Sequence, residues 1–245
     1  MTQPSLIACL LALTCLVPGA WARKLVLAAT EYPPYYSETL PDGGPVTELT
    51  VMALRRAGYE VEVRFLPWAR ALRLGQQGEV DGLVGVWRSP DREAAFRFSH
   101  PVVSNRIVLC RKGHHGPARF TGFAALRPYT VGVVRGYADP PGLAAAQVRT
   151  EAVNDDLQNL RKLMVGHIDL VLIDSRVAQH LADRHLLGLA SELDCLRPAV
   201  QEHPQYLAVS RRVADAASIV AAFNERLRGL RDSGEFEEIA ARWGL

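Results

Sequence analysis

Residues able to grip a small charged solute fall at the ends of apolar runs along this chain. Arg92 closes the turn Ser89-Pro90-Asp91-Arg92, just after the run Val80 to Trp87. Its guanidinium can hold a carboxylate by two parallel hydrogen bonds. Asp174 ends the run Ile168 to Ile173 and can accept from an ammonium group. Tyr32 and Tyr35 lie in Tyr32-Pro33-Pro34-Tyr35, directly past Lys24 to Thr30. Trp87 ends its own run, and Tyr137 sits in the turn Arg135-Gly136-Tyr137 after Tyr129 to Val134. Aromatic walls with one cation and one anion suit a small zwitterion. Plainer readings stand beside this one: a solvated arginine at a helix start for Arg92, a helix N-cap for Asp174, and packing for the tyrosines. Pro67-Trp68-Ala69-Arg70-Ala71-Leu72 adds Trp68 and Arg70 as candidates for the same cleft. Core packing for Trp68 and solvent for Arg70 are the alternatives.

Catalytic and metal signatures are not found. The chain lacks Gly-x-Ser-x-Gly, His-Glu-x-x-His, a Gly-rich phosphate loop and Cys-x-x-Cys. His114 and His115 are neighbours, and His180 and His185 are five apart, so neither pair has helical metal-ligand spacing. Surface histidines are expected, with no metal and no cofactor. An enzyme would need a general acid in the cleft, for which Glu31, Glu38 and Glu48 are the undistinguished candidates.

The candidate residues need elements to position them. Lys24 to Thr30 reads as a buried strand that the two prolines interrupt. Val46 to Ala57 has helical spacing and stops at Gly58; Glu60 to Phe65 alternates as a strand. Pro67 opens a helix from Trp68 to Gly75. Val80 to Trp87 is a strand, followed by a turn into a short helix. Ile107 to Arg111 is another strand, and Lys112 to Pro117 breaks the pattern. It restarts with strands over Tyr129 to Val134 and Val148 to Val153, and a helix that Asn154 can cap and whose first turn carries Asp155 and Asp156, both favourable at a helix N-terminus. Strand Ile168 to Ile173, helix Ser175 to His185, strand Tyr206 to Ser210 and two final helices complete the chain. Ligands of open α/β sheets sit beyond the carboxyl ends of strands, where the candidates fall.

Composition agrees with a globular α/β protein. The 245 residues are 49% apolar and 22% charged, with a formal charge of +2. That balance offers no basic excess for neutralising many phosphates, so a nucleic-acid partner is not expected. The first 22 residues carry no charged side chain, and Leu6 to Val17 is nearly all apolar. With Ala20-Trp21-Ala22 behind it, this predicts a signal peptide cleaved after Ala22 and export to the periplasm. Cys9 and Cys15 leave with it. Cys110 and Cys195 then stand in an oxidising compartment, either as a disulfide or as two buried thiols.

With these features the chain resembles the bacterial extracellular solute-binding proteins of family 3, the polar amino-acid receptors of ABC transporters. The resemblance rests on Asp81-Gly82, on Ser89-Pro90-Asp91-Arg92 and on Phe96-Arg97-Phe98-Ser99-His100-Pro101. It continues through Val131-Gly132-Val133-Val134-Arg135-Gly136 and Gly166 to Asp174. It implies a two-lobed periplasmic binding protein fold (type II), each lobe a mostly parallel sheet flanked by helices, with a two-strand hinge. The implied organisation is a signal peptide over 1–22, lobe 1 over 23–110, lobe 2 over 111–204 and a return to lobe 1 over 205–245. By resemblance, Arg92 takes a ligand carboxylate, Asp174 the amino group, and Tyr32 covers the ligand. The implied role is capture of a small carboxylate-bearing solute by lobe closure, for an ABC transporter permease in the inner membrane, by a monomer that is not an enzyme. A ligand-sensing protein for a membrane receptor and a dehydratase-like enzyme are the alternatives on this fold. The sequence departs from the amino-acid receptors where Tyr137-Ala138-Asp139-Pro140-Pro141 replaces a Ser/Thr-rich stretch.

Overall fold

Apolar runs alternate with amphipathic helices, and the chain folds accordingly into two lobes of sheet flanked by helices. The computed structural model describes residues 23–245, so the expected signal peptide lies outside the described residues, as do Cys9 and Cys15. The first lobe begins β1 (Lys24–Ala29), α1 (Pro45–Arg56), β2 (Glu60–Phe65), α2 (Trp68–Gln77), β3 (Gly82–Trp87), α3 (Pro90–Ala95). The long strand β4 (Phe96–Lys112) then leads to β5 (Thr130–Val134), β6 (Arg149–Val153), α4 (Asp156–Met164), β7 (Leu170–Asp174) and α5 (Ser175–His185). Next come β8 (Leu193–Cys195), β9 (Gln201–Ser210), α6 (Ala216–Asp232) and α7 (Glu235–Arg242).

Strand order is β2-β1-β3-β9-β4-β7-β5-β6, with β8 paired to β4. Each lobe has a parallel core, β2-β1-β3 in one and β6-β5-β7 in the other. The strands between these cores, β9 and β4, pair antiparallel with their neighbours. The sheet is therefore mixed. β4 runs from its pairing with β9 over Phe96–Ile107 to pairings with β7 and β8 over Ile107–Lys112. One strand thus belongs to both lobes. The disulfide Cys110–Cys195 ties β8 to β4.

Two strands are longer than sequence reading predicts. β4 starts at Phe96 rather than Ile107, and β9 at Gln201 rather than Tyr206. Pro101 lacks an N–H for the ladder, and the register shifts on both sides of it. The irregularity lets the strand continue through a residue that reads as a break. The cap of α4 is Asp155, which accepts from the Gln158 N–H, and not Asn154.

The two C-terminal helices pack on the first lobe, α6 against α1 and α7 against both. Leu49, Leu54, Phe223 and Leu227 are buried in one core there. Each such side chain contributes about 1.5–3 kcal/mol. Arg56 pairs with Glu235 at 2.6 Å and Arg242 with Glu48 at 2.6 Å on the rim. Among the described residues no helix is long and apolar enough to cross a membrane.

Candidate functional site

Two loops and a short helix build the first-lobe wall. The segment Tyr32 to Tyr36 closes on itself: the Tyr32 N–H donates to the Tyr36 carbonyl at 2.8 Å, and the Tyr35 N–H returns to the Tyr32 carbonyl at 3.0 Å. This tight turn stacks the rings of Tyr32 and Tyr36 at 5.5 Å between centroids. Gly85 makes room for them. It sits in an irregular stretch of β3 at φ 72°, and a Cβ there would lie 2.3 Å from the Tyr36 ring. Tyr36 fixes its hydroxyl on the Gly85 carbonyl at 3.2 Å.

Arg92 lies in α3, whose single turn folds back over the end of β3. Its Nη1 donates to the Trp87 carbonyl at 2.8 Å, and its Cζ stands 5.0 Å from the centre of the Trp68 ring. The residue is 6% exposed, and none of the carboxylates among the described residues pairs with it. Burial pulls the guanidinium down to about 10, so it stays charged at neutral pH.

The second lobe reaches this wall through the turn after β5. Gly136, at φ 79°, turns the chain, and its carbonyl accepts from Arg92 Nη2 at 2.9 Å and from Trp68 Nε1 at 2.7 Å. Tyr137 follows and enters the aromatic box. Its ring lies 6.1 Å from Tyr32, 6.3 Å from Trp68 and 5.6 Å from Trp87. Its hydroxyl donates to Asp156 Oδ2 at 3.1 Å. The cavity left beside Arg92 is about 20 Å³, room for about one water.

Asp174 occupies a different environment. Its Oδ1 accepts from the Arg176 and Val177 N–H groups at the start of α5. Its Oδ2 accepts from the Tyr35 hydroxyl at 3.2 Å, Asn105 Nδ2 at 3.0 Å and the Arg106 N–H at 2.9 Å. Desolvation raises its pKa, and these hydrogen bonds work in the opposite direction. Asp174 borders a second cavity that also touches Tyr32, Trp87 and Tyr137. Those three rings border both cavities, with Arg92 in one and Asp174 in the other.

The structure thus brings Tyr32, Trp68, Trp87, Arg92 and Tyr137 together. It does not bring in Tyr35, which is 1% exposed and braces Asp174 instead of lining either cavity. Nor does it bring in Arg70, which is exposed on α2. The helix buries Trp68, Ala71 and Gly75, one face at i, i+3 and i+7. Arg70 is two residues from Trp68, about 200° around the helix at 3.6 residues per turn.

Four residues of the site escaped sequence reading. Tyr36 takes the wall position expected of Tyr35. The signal for it was Gly85, a glycine inside an apolar strand, which marks a close approach. Asn105 and Gln205, 1% and 0% exposed, lie on β4 and β9. Asn105 Oδ1 accepts from Trp87 Nε1 at 2.6 Å and from Gln205 Nε2, while its Nδ2 reaches Asp174. Asp156 reads in sequence as one of two acids favouring a helix start. It is 5% exposed, and its Oδ1 has no hydrogen-bond partner. Burial pushes its carboxyl up to about 7, against the opposing pull of the Tyr137 hydroxyl. Among the described residues no group of three or more His, Cys, Asp or Glu is placed to hold a metal ion.

The fold is shared with many solved structures. A histidine kinase sensor domain with similarity to periplasmic binding proteins aligns at TM-score 0.80 and 22% identity, covering 91% of this chain and 96% of that one. The amino acid ABC transporter substrate-binding protein AbpA from Streptococcus pneumoniae, bound to L-arginine, aligns at 0.75 and 20%, covering 90% and 94%. The GluR0 ligand-binding core from Nostoc punctiforme, in complex with L-glutamate, aligns at 0.74 and 16%, covering 89% and 98%. No curated protein matches the sequence. The family model for bacterial extracellular solute-binding proteins, family 3, matches residues 25–245. That match spans both lobes and every residue of the cleft, and the chain belongs to this family of binding proteins.

Proposed function

We propose that the protein is an exported receptor that captures a small carboxylate-bearing solute, an amino acid or a related acid, between its lobes and delivers it to an ABC transporter. The buried guanidinium of Arg92 carries this reading. It has two carbonyl acceptors and an indole face but no carboxylate among the described residues. A solute carboxylate replacing the Gly136 carbonyl would meet Arg92 Nη2 and Trp68 Nε1 together. Tyr32, Tyr36 and Trp87 then wall its apolar body.

Closure follows from contacts made on both lobes. Arg92 and Trp68 belong to the first lobe, and Asp156 to the second. A solute bridging them favours the closed form, and a swing from 1:99 to 99:1 needs about 5.5 kcal/mol. A charge-assisted bond contributes about 1.5–3 kcal/mol, and burial of an apolar body supplies the rest. The closed shape is what a membrane partner recognises.

A thermal-shift screen over amino acids, organic acids and polyamines finds the solute, since binding raises apparent stability. Arg92→Ala then lowers affinity for an acidic hit at least tenfold in calorimetry, with the circular dichroism spectrum unchanged. An unchanged Kd removes Arg92 from the site, and a polyamine as sole hit overturns the carboxylate reading. Loss of solute uptake on deleting the gene distinguishes delivery to a transporter from signalling to a membrane receptor.

A further inference from the structure

Gly136 and Tyr137 hold three contacts that a bound molecule would otherwise make. At one end the Gly136 carbonyl oxygen receives two donors from the facing lobe, Arg92 Nη2 and Trp68 Nε1. In the middle the Tyr137 ring meets three other rings edge-on or tilted, the geometry aromatic pairs prefer. At the far end the phenol donates to Asp156, a buried carboxylate whose second oxygen has no partner. Acceptor, ring and donor follow in that order, spaced by one tyrosyl residue. The cavity of about 20 Å³ beside Arg92 takes no organic solute while the Tyr137 side chain stays in place.

We propose that Gly136-Tyr137 is a tethered occupant of the cleft, and that the solute displacing it is an aromatic carboxylic acid bearing a hydrogen-bond donor at the far edge of its ring. The inference rests on Arg92 as the carboxylate anchor and adds the ring, the donor and a recognition role for Asp156. A carboxylate takes the place of the Gly136 carbonyl, a stronger acceptor for the same two donors. The ring replaces the Tyr137 ring among Tyr32, Trp68 and Trp87. The donor satisfies Asp156, which would otherwise lose its only side-chain donor when Tyr137 leaves. An acid without that donor leaves a buried carboxylate unpaired and is disfavoured. A lone aromatic amine is disfavoured at the other end, where Arg92 repels it.

Calorimetry with four probes tests this: 4-hydroxyphenylacetate, phenylacetate, tyramine and L-glutamate. Removing the tether removes the intramolecular competitor, so Tyr137→Ala binds 4-hydroxyphenylacetate at least tenfold tighter than the wild type. The same variant prefers it to phenylacetate at least tenfold, and adding Asp156→Ala shrinks that preference below threefold. Should Tyr137→Ala fail to fold, Tyr137→Phe keeps the ring, frees Asp156, and binds 4-hydroxyphenylacetate at least threefold tighter than the wild type. Equal or weaker binding by the folded variant overturns the proposal, because Tyr137 would then be a wall that the solute touches. Tight L-glutamate binding that depends on Arg92, without 4-hydroxyphenylacetate binding, overturns the aromatic class and leaves the carboxylate anchor standing. No carboxylate binding by any variant overturns both.

Discussion

Arg92 and Asp174 are opposite charges buried against the same aromatic wall, yet their surroundings differ in kind. Asp174 receives five donors across its two oxygens, from the backbone of β4 and α5 and from Tyr35 and Asn105. Arg92 has two carbonyl acceptors and a ring face. A saturated buried charge is bound to the protein's own frame and has little left to offer a ligand. An undercompensated one retains binding capacity. The contrast fits the proposal that Asp174 serves the architecture, where it joins β4 to α5, and that Arg92 is the group for capture. A free acceptor beside Tyr137 on the second lobe is Asp156, which keeps one oxygen unpaired.

Breaking Asp174 gives the largest expected effect. In Asp174→Asn the amide oxygen keeps the helix N–H groups, as a good N-cap does. Its NH2 then faces the Arg106 N–H and the Asn105 amide, donor against donor. Two buried donors lose their partner, at a cost of about 3–5 kcal/mol read from urea denaturation. The same variant, once folded, should bind an acidic solute within threefold of the wild type. A stable protein with abolished binding would return Asp174 to the ligand site and erase the contrast with Arg92.

Asp156 sharpens the comparison through pH. Its carboxyl rises from the ordinary 3.8 to about 7, with desolvation the main cause. Asp174 and Asp155 raise it further, and the Tyr137 hydroxyl opposes them. The folded state therefore keeps a proton that the unfolded chain releases near pH 4. The associated stability is fully present below that point and is lost as pH rises to about 7. Asp156→Asn removes this dependence. Its stability relative to the wild type should grow by about 4 kcal/mol between pH 4 and pH 8, measured by urea denaturation at each pH. A flat difference would mean that Asp156 is ionised and solvated, and that it is not a buried acceptor for the solute.

Which residues lie at strand ends was legible, because apolar runs and turn residues mark those ends locally. Tyr32, Trp87, Arg92 and Tyr137 stand at such ends. Which charge is satisfied was not legible, because the partners come from far along the chain. Asp174 reads as a plain N-cap or a ligand contact. The donor that decides between them, Asn105, is 69 residues away on a strand whose first half hides behind Pro101. Asp156 reads as a helix-dipole partner until Tyr137, 19 residues earlier, is folded over it. Tyr35 and Tyr36 are neighbours with opposite fates, which depend on the room Gly85 leaves for one ring.

Arg70 supplies the smallest effect and the control for the rest. It shares α2 with Trp68 and carries the same charge as Arg92, so composition alone makes it an equal candidate. Helix geometry separates them: Trp68, Ala71 and Gly75 face inward, and Arg70 faces solvent. An exposed charge is screened within about 8 Å at physiological salt, so it adds little to a buried site. Arg70→Ala should change stability by less than about 0.5 kcal/mol and solute affinity by less than twofold. If affinity instead falls as far as in Arg92→Ala, the cleft must extend over the outer face of α2. Burial would then no longer separate the two arginines as candidates for capture.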